Sequence, residues 1–116
     1  MNSYYILISD RGKRYWKEHQ GRKLKNKHGL ELFIEMRSRG HWVITEGKTG
    51  LKICEGHTRK ATIEKLEELV EHYKIEFFEK AIEKAIKEFG TSPLYTNEPL
   101  FPILTIKGVI KINGMA

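Results

Sequence analysis

The feature that most constrains the fold is a long helical repeat in the second half of the chain. Between residues 61 and 89, apolar residues recur at spacings of three and four, with Glu and Lys between them. Thr58 is a favourable residue to begin a helix, and Gly90 followed by Pro93 is typical of a helix end. The pattern predicts one helix over residues 58–89, about 45 Å long at 1.5 Å per residue. Because that exceeds the diameter of a compact domain of this length, we expect the helix either to bend or to pack its far end on something else.

The same repeat has a shift in its middle that bears on association. The adjacent aromatic residues Phe77 and Phe78 break a strict heptad, so a long coiled coil is not expected. Ala81 and Ala85 would let another backbone approach closely. We expect the first half of the helix to cover a sheet. The distal half, or the C-terminal tail, packs either within the monomer or against a second copy in a homodimer.

Short β-branched and aromatic runs in the first half predict strands. Residues 4–8 form the first run, and residues 41–55 form a hairpin around a loop that contains two glycines. Residues 30–37 alternate as a half-buried strand does, but they also fit one face of a helix, and both interpretations stay open. Residues 103–112 predict a second hairpin or one terminal strand.

Together these patterns predict a single α+β domain over residues 1–116. We expect an antiparallel meander of three to four strands, packed against one long helix and followed by a terminal β segment. Hydrophobic residues make up 40% of the chain, which suffices for one core. No apolar run is long enough for a signal peptide or a membrane span, so we expect a cytoplasmic protein without a membrane partner.

Positive charge is concentrated in residues 11–28, which we call the basic segment. It holds eight Lys or Arg and one Glu, a net of +7 against +6 for the whole chain, which leaves −1 for everything else. Its two glycines and its lack of apolar periodicity predict a long loop or loosely ordered excursion. We expect it to be the binding surface, with Tyr15 and Trp16 as aromatic anchors. The charge comes from Arg11, Lys13, Arg14, Lys17, Arg22, Lys23, Lys25 and Lys27.

Three interpretations of the basic segment stay open. Lys and Arg release counterions when they neutralise phosphates, and aromatic rings stack on unpaired bases, so the segment suits a nucleic acid. It equally suits an acidic protein surface, or it is a solvated surface with no specific partner. No RNA-recognition, zinc-finger or homeodomain signature is present, and the short helices of a helix-turn-helix are missing.

Two further motifs bear on catalysis and metal binding. Glu46-Gly47-Lys48 has the Glu-x-Lys spacing of a nuclease family in which acidic residues hold Mg²⁺. The chain has 14 Glu and 15 Lys, so such a triplet is expected by chance, and we expect Glu46 to be solvated. Cys54 and His57 have the spacing of half a zinc site, whereas structural zinc sites show paired ligands at both ends. We predict no catalytic residue, metal or cofactor, a Mg²⁺-dependent nuclease being the least favoured alternative. Cys54, the only cysteine, is expected to be a buried thiol.

Residues 42–64 combine Trp42-Val43-Ile44, a returning strand, and Gly56-His57-Thr58 before a helix. This strand–Gly-x-Thr–helix unit resembles the start of HicB-type antitoxins and short regulatory proteins of phages and mobile elements. The resemblance implies regulation or inhibition by binding, and it carries over no functional residue. We therefore expect a small non-enzymatic protein that docks on a host protein or a protein–nucleic-acid complex, anti-CRISPR inhibitors being one such class. Direct nucleic-acid binding by the basic segment is the alternative.

Overall fold

The computed structural model describes residues 1–95, in which five antiparallel strands form one meander in the order β1-β2-β3-β4-β5, followed by two helices. The strands are β1 (Asn2–Asp10), β2 (Lys13–Leu24), β3 (Leu32–Ser38), β4 (His41–Glu46) and β5 (Leu51–Gly56). The helices are α1 (Arg59–Tyr73) and α2 (Ile75–Phe89), and a 3-10 turn follows at Pro93–Tyr95. The α+β class is confirmed. The sheet has one strand more than the three to four predicted, and the predicted β segment over residues 103–112 lies outside the described residues.

The extra strand is β2, which the sequence predicted to be a loop. β2 pairs with β1 along the whole of β1, from Asn2 opposite Gly21 to Asp10 opposite Lys13. The prediction was wrong because the apolar side chains of this hairpin come from β1. β2 therefore needs no apolar alternation of its own, since the ladder with β1 holds its backbone along one edge and its Lys and Arg side chains remain in water.

The turn between β1 and β2 consists of Arg11 and Gly12, with φ angles of 52° and 81°. Two consecutive residues with positive φ are typical of the tight hairpin turns whose twist matches that of paired strands. Residues 30–37, for which both a strand and a helix were open, lie largely in β3. The predicted hairpin over residues 41–55 is confirmed by β4 and β5, which pair antiparallel.

The sheet curls back on itself at Gly21. A Cβ at this position would lie 2.9 Å from both the Ile34 carbonyl oxygen and the Tyr4 ring, so only glycine fits without a shift of its neighbours. At the far side of the curl, the Leu7 N–H donates to the Gly50 carbonyl in the β4–β5 loop, at 3.1 Å. The outer edge of β1 is thereby joined to the loop that closes the last hairpin.

The curl gives the sheet an inner and an outer face, each with its own core. On the inner face, Tyr4 and Phe33 stack with ring centres 4.8 Å apart, and Ile6 is buried beside them. On the outer face, the helices cover a larger cluster: Leu24, Leu30, Leu32, Ile34, Ile44, Cys54, Leu66, Val70 and Phe78. The prediction that Cys54 is a buried thiol is confirmed, and its burial raises its pKa to about 11.

The predicted single helix is in fact two helices that meet at Lys74. The predicted cap at Thr58 is confirmed, since its hydroxyl accepts a hydrogen bond from the Ala61 N–H at 3.0 Å. The first helix ends where Lys74 takes φ 71° and ψ 154°. One straight helix of the predicted length was too long for a compact domain, and the chain bends at Lys74. The junction turns the chain so that α1 buries Val70 and α2 buries Phe78 in the same core. No helix among the described residues is both long enough and apolar enough to cross a membrane.

Lys74 occupies a backbone region that only glycine adopts readily, at a cost of about 1–3 kcal/mol for other residues. We therefore expect Lys74→Gly to raise the free energy of unfolding by up to about 1 kcal/mol, after the greater freedom of glycine in the unfolded chain is subtracted. The matched control is Lys80→Gly in the middle of α2, which should lower the same quantity by about 1 kcal/mol. Urea unfolding measures both, and a loss of stability in Lys74→Gly equal to that of the control would contradict a strained junction.

Candidate binding surface

The cations of the basic segment are exposed along β2 and along the loop that follows it. All eight of its Lys and Arg residues are exposed. Within residues 1–95, only Lys23 among them forms an ion pair, with its Nζ 3.0 Å from Glu31 Oε1. The Arg14 guanidinium lies over the Phe89 ring, 4.4 Å from its centre. Because the other positive charges have no anionic partner in this part of the chain, they are available to a ligand.

The alternation of β2 divides this surface between the two faces of the sheet. Tyr15 and Lys17 lie opposite Ile8 and Ile6 of β1, so they project to the inner side in the half of the hairpin near its turn. Arg14 and Trp16, which alternate with them, project to the outer side. The basic segment thus presents cationic side chains on both sides of one strand.

The two predicted anchors are placed on opposite sides and do not form one stacking platform. Tyr15 is 49% exposed, so its ring is accessible to a partner. Trp16 is half-buried and lies against the β4–β5 loop, where a Cβ on Gly50 would be 2.7 Å from the indole ring. Of the two rings, Tyr15 is therefore the exposed one, and Trp16 has a structural contact with the loop.

The end of the basic segment borders an acidic part of α1. Lys25 and Lys27 line a shallow groove together with Glu67 and Glu71. His28 closes it, with Nε2 2.8 Å from Glu67 Oε1. The positive surface therefore ends at this groove and extends from it along β2 towards the hairpin turn.

A polar cluster on the inner face, which sequence reasoning missed, fixes β2 to the sheet. The Glu35 carboxylate accepts a hydrogen bond from the Tyr4 hydroxyl. His19 Nδ1 lies 2.9 and 3.0 Å from its two oxygens. Arg37 Nε donates to it at 3.3 Å, and Arg37 Nη2 donates to Thr45 Oγ1 at 3.2 Å. These side chains come from four strands, so no local motif reveals them. The only local signal is the alternation of β3, which places Glu35 and Arg37 on one face.

The pKa values of this cluster show how its charge is held. Burial alone would raise the pKa of Glu35, but hydrogen bonds from Tyr4 and His19 and the positive charges of His19 and Arg37 outweigh it and lower the pKa below its ordinary value. Burial raises the pKa of Tyr4, and the Glu35 carboxylate adds to that increase. Glu35 is therefore ionised at neutral pH while Tyr4 remains a donor.

The Glu46–Lys48 motif has a structural part in the β4–β5 loop. Glu46 is 1% exposed, so the expectation that it is solvated was wrong. Its carboxylate accepts hydrogen bonds from the Lys48 N–H at 3.1 Å, and from the Thr49 N–H and hydroxyl, both at 2.7 Å. These donors explain why a carboxylate is tolerated at a buried position. They also tie both carboxylate oxygens to the residues of its own loop.

Cys54 is buried on the outer face, where its thiol donates to the Thr62 carbonyl at 3.6 Å, whereas His57 is exposed. Within residues 1–95, no three His, Cys, Asp or Glu side chains are grouped so as to hold a metal ion.

No protein-family model, curated protein or solved structure matches this chain. The chain's own residues are therefore the basis for inferring its function.

The Glu35 cluster makes a prediction about acid stability. Because the pKa of Glu35 is lower in the folded state than its ordinary 4.5, its contribution is fully present above that value and is lost as the pH falls through the folded pKa. We expect Glu35→Gln to lower the free energy of unfolding at about pH 7 by about 1–3 kcal/mol. The difference from wild type should shrink as the pH is lowered towards about pH 3.

Urea unfolding at a series of pH values measures this difference. Glu68→Gln, on the exposed side of α1, is the matched control and should change stability little at any pH. A Glu35→Gln defect that is equally large at low pH would contradict a role for the ionised carboxylate.

Proposed function

We propose that this chain is a small regulatory or inhibitory protein that acts by binding, and that it docks the basic surface of β2 on an acidic region of a host protein or protein–nucleic-acid complex. The observation that carries the proposal is the row of eight exposed cations in residues 11–28, seven of which have no ion-pair partner within residues 1–95. The resemblance of residues 42–64 to mobile-element regulators agrees with a role in regulation.

The distribution of charge supports association with an anion. Residues 11–28 carry a net charge of +7 and the whole chain carries +6, so the positive charge is concentrated in one segment and not spread over the protein. A local positive field orients an acidic partner during approach and raises the association rate, most of all at low ionic strength.

The rigidity of β2 supports a binding role for the same residues. A flexible loop would lose conformational freedom when it bound, at a cost of about 1–2 kcal/mol for each backbone residue fixed. In β2 that freedom is already lost on folding, because the ladder with β1 and the His19–Glu35 contact hold the strand. The cations are thus presented in a fixed spacing before the partner arrives.

Direct nucleic-acid binding is the second candidate, and the exposure of Tyr15 favours it, since one accessible ring can stack on an unpaired base. The position of Trp16 favours a protein partner instead, because its contact with Gly50 leaves only one of the two aromatic rings available. Catalysis at Glu46 and Lys48 is not part of the proposal, because the Glu46 carboxylate is engaged by its own loop.

The experiment compares two double charge reversals. Lys13→Glu with Lys17→Glu alters the exposed inner side of β2, and Lys80→Glu with Lys84→Glu alters exposed positions of α2 by the same charge. The probes are a fluorescent polyglutamate peptide and labelled single- and double-stranded DNA and RNA, followed by anisotropy at two salt concentrations. We expect wild type and the α2 variant to bind the acidic peptide, more weakly at high salt, and the β2 variant to lose about tenfold or more in affinity.

The outcomes separate the candidates. Oligonucleotide binding that is tighter than peptide binding and that is lost in the β2 variant would replace the protein partner with a nucleic acid. Failure of wild type to bind any of the probes at low salt, or equal loss in both variants, would contradict the proposed surface.

A further inference from the structure

The first part of β2 has one edge that no strand of the described chain covers. Residues 13–21 pair with β1 on one side. On the other side, β3 pairs only with Arg22, Lys23 and Leu24. On the N-terminal side of Gly21 the curl carries β2 away from β3, and no pairing between the two strands continues there. Within residues 1–95, residues 13–20 therefore present an open backbone edge.

The hydrogen bond of Leu7 shows which groups point to that edge. Because the Leu7 N–H donates to Gly50, it points away from β2, so Leu7 and Trp16 form a non-hydrogen-bonded pair of the antiparallel ladder. By alternation, the N–H and C=O groups of Arg14, Trp16 and Glu18 point away from β1. The hydrogen bond of Lys23 is consistent with this register, since its N–H points to the β1 side and donates to Asn2 Oδ1 at 3.4 Å.

An edge of this kind fits a peptide better than a phosphate backbone. It alternates donors and acceptors at the spacing of a strand, and an extended peptide satisfies both, whereas phosphate oxygens only accept. Side chains of an added strand would alternate in the same way as those of β2. Those on the inner side would meet Lys13, Tyr15 and Lys17. The two lysines suit carboxylates, and Tyr15 between them suits an apolar or aromatic side chain.

We propose that the open edge of β2, over residues 14–18, captures an extended acidic segment of the partner protein as an added strand. This rests on the proposed function, since it names the part of the partner that the basic surface binds. Lys13 and Lys17 bind the carboxylates of the captured segment, and Tyr15 packs on it. A second copy of this chain is a poor occupant, because pairing two such edges would bring like charges together. Lysines on natural edge strands prevent edge-to-edge pairing in the same way.

The test uses the full chain and two fluorescent peptides of the same sequence, in which every second residue is Glu, Val and Glu in turn, to face Lys13, Tyr15 and Lys17, with Thr between them. One is unmodified, and the other carries N-methyl groups on alternate residues, on the edge that would pair with β2. Both keep their charge, but only the first can form the backbone ladder. We expect the unmodified peptide to bind at least about tenfold more tightly.

A variant of the protein tests the same edge from the other side. Glu18→Pro removes an N–H that points to the open edge, and it leaves the ladder with β1 intact. We expect it to lose about tenfold or more in affinity for the unmodified peptide, whereas the control Glu18→Ala, which removes a repulsive charge, binds as tightly as wild type or more so. Thermal unfolding checks that the proline variant is folded, and the peptide comparison stands if it is not.

The outcomes keep this proposal separate from the previous one. Equal binding of the two peptides, both sensitive to Lys13→Glu with Lys17→Glu, would overturn strand addition and leave the basic surface as a charge-driven site. Failure of the wild-type protein to bind either peptide would overturn both proposals, as would tighter binding of oligonucleotides at the same residues.

Discussion

The backbone ladder between β1 and β2 is the interaction on which the rest of this structure depends. Its nine residue pairs give residues 13–21 of β2 hydrogen-bond partners on one side, although that strand can bury few of its side chains. β1 supplies the apolar contribution through Tyr4 and Ile6, which reach the inner core beside Phe33. A segment with a net charge of +7 is thereby ordered without any of its Lys or Arg side chains leaving water.

The curl of the sheet then determines where this strand is presented. Gly21 leaves room for the Tyr4 ring and the Ile34 carbonyl against β2, and the Leu7–Gly50 hydrogen bond holds the far side of the curl. Between these two points, Glu35 draws Tyr4, His19 and Arg37 together on the inner face. The same curl separates the part of β2 that precedes Arg22 from β3, so the contacts that stabilise the fold also create the open, cationic edge.

The sequence predicted those features that depend on local signals. Thr58 acts through its hydroxyl on the first helical turn, and Gly90 and the two-glycine hairpin loop act through their own backbones, so the helix start, the helix end and the 41–55 hairpin were correct. β2 was missed because its pairing partner carries the apolar alternation, and Lys74 was missed because a lysine at positive φ leaves no signal in the sequence. Of the candidate surface, the identity of the cations could be predicted, but their division between two sides and the Glu35 cluster require the register of four strands.

The most direct measurement of the central claim is amide hydrogen exchange along β2 in the free protein, followed by NMR. The N–H groups of Tyr15, Lys17 and His19 point to β1 and should be protected, whereas those of Arg14, Trp16 and Glu18 should exchange rapidly. This alternation is the result that an ordered basic strand with one open edge predicts. Rapid exchange at all six positions would show a loop, and protection at all six would show that the edge is already covered; either result would contradict the account.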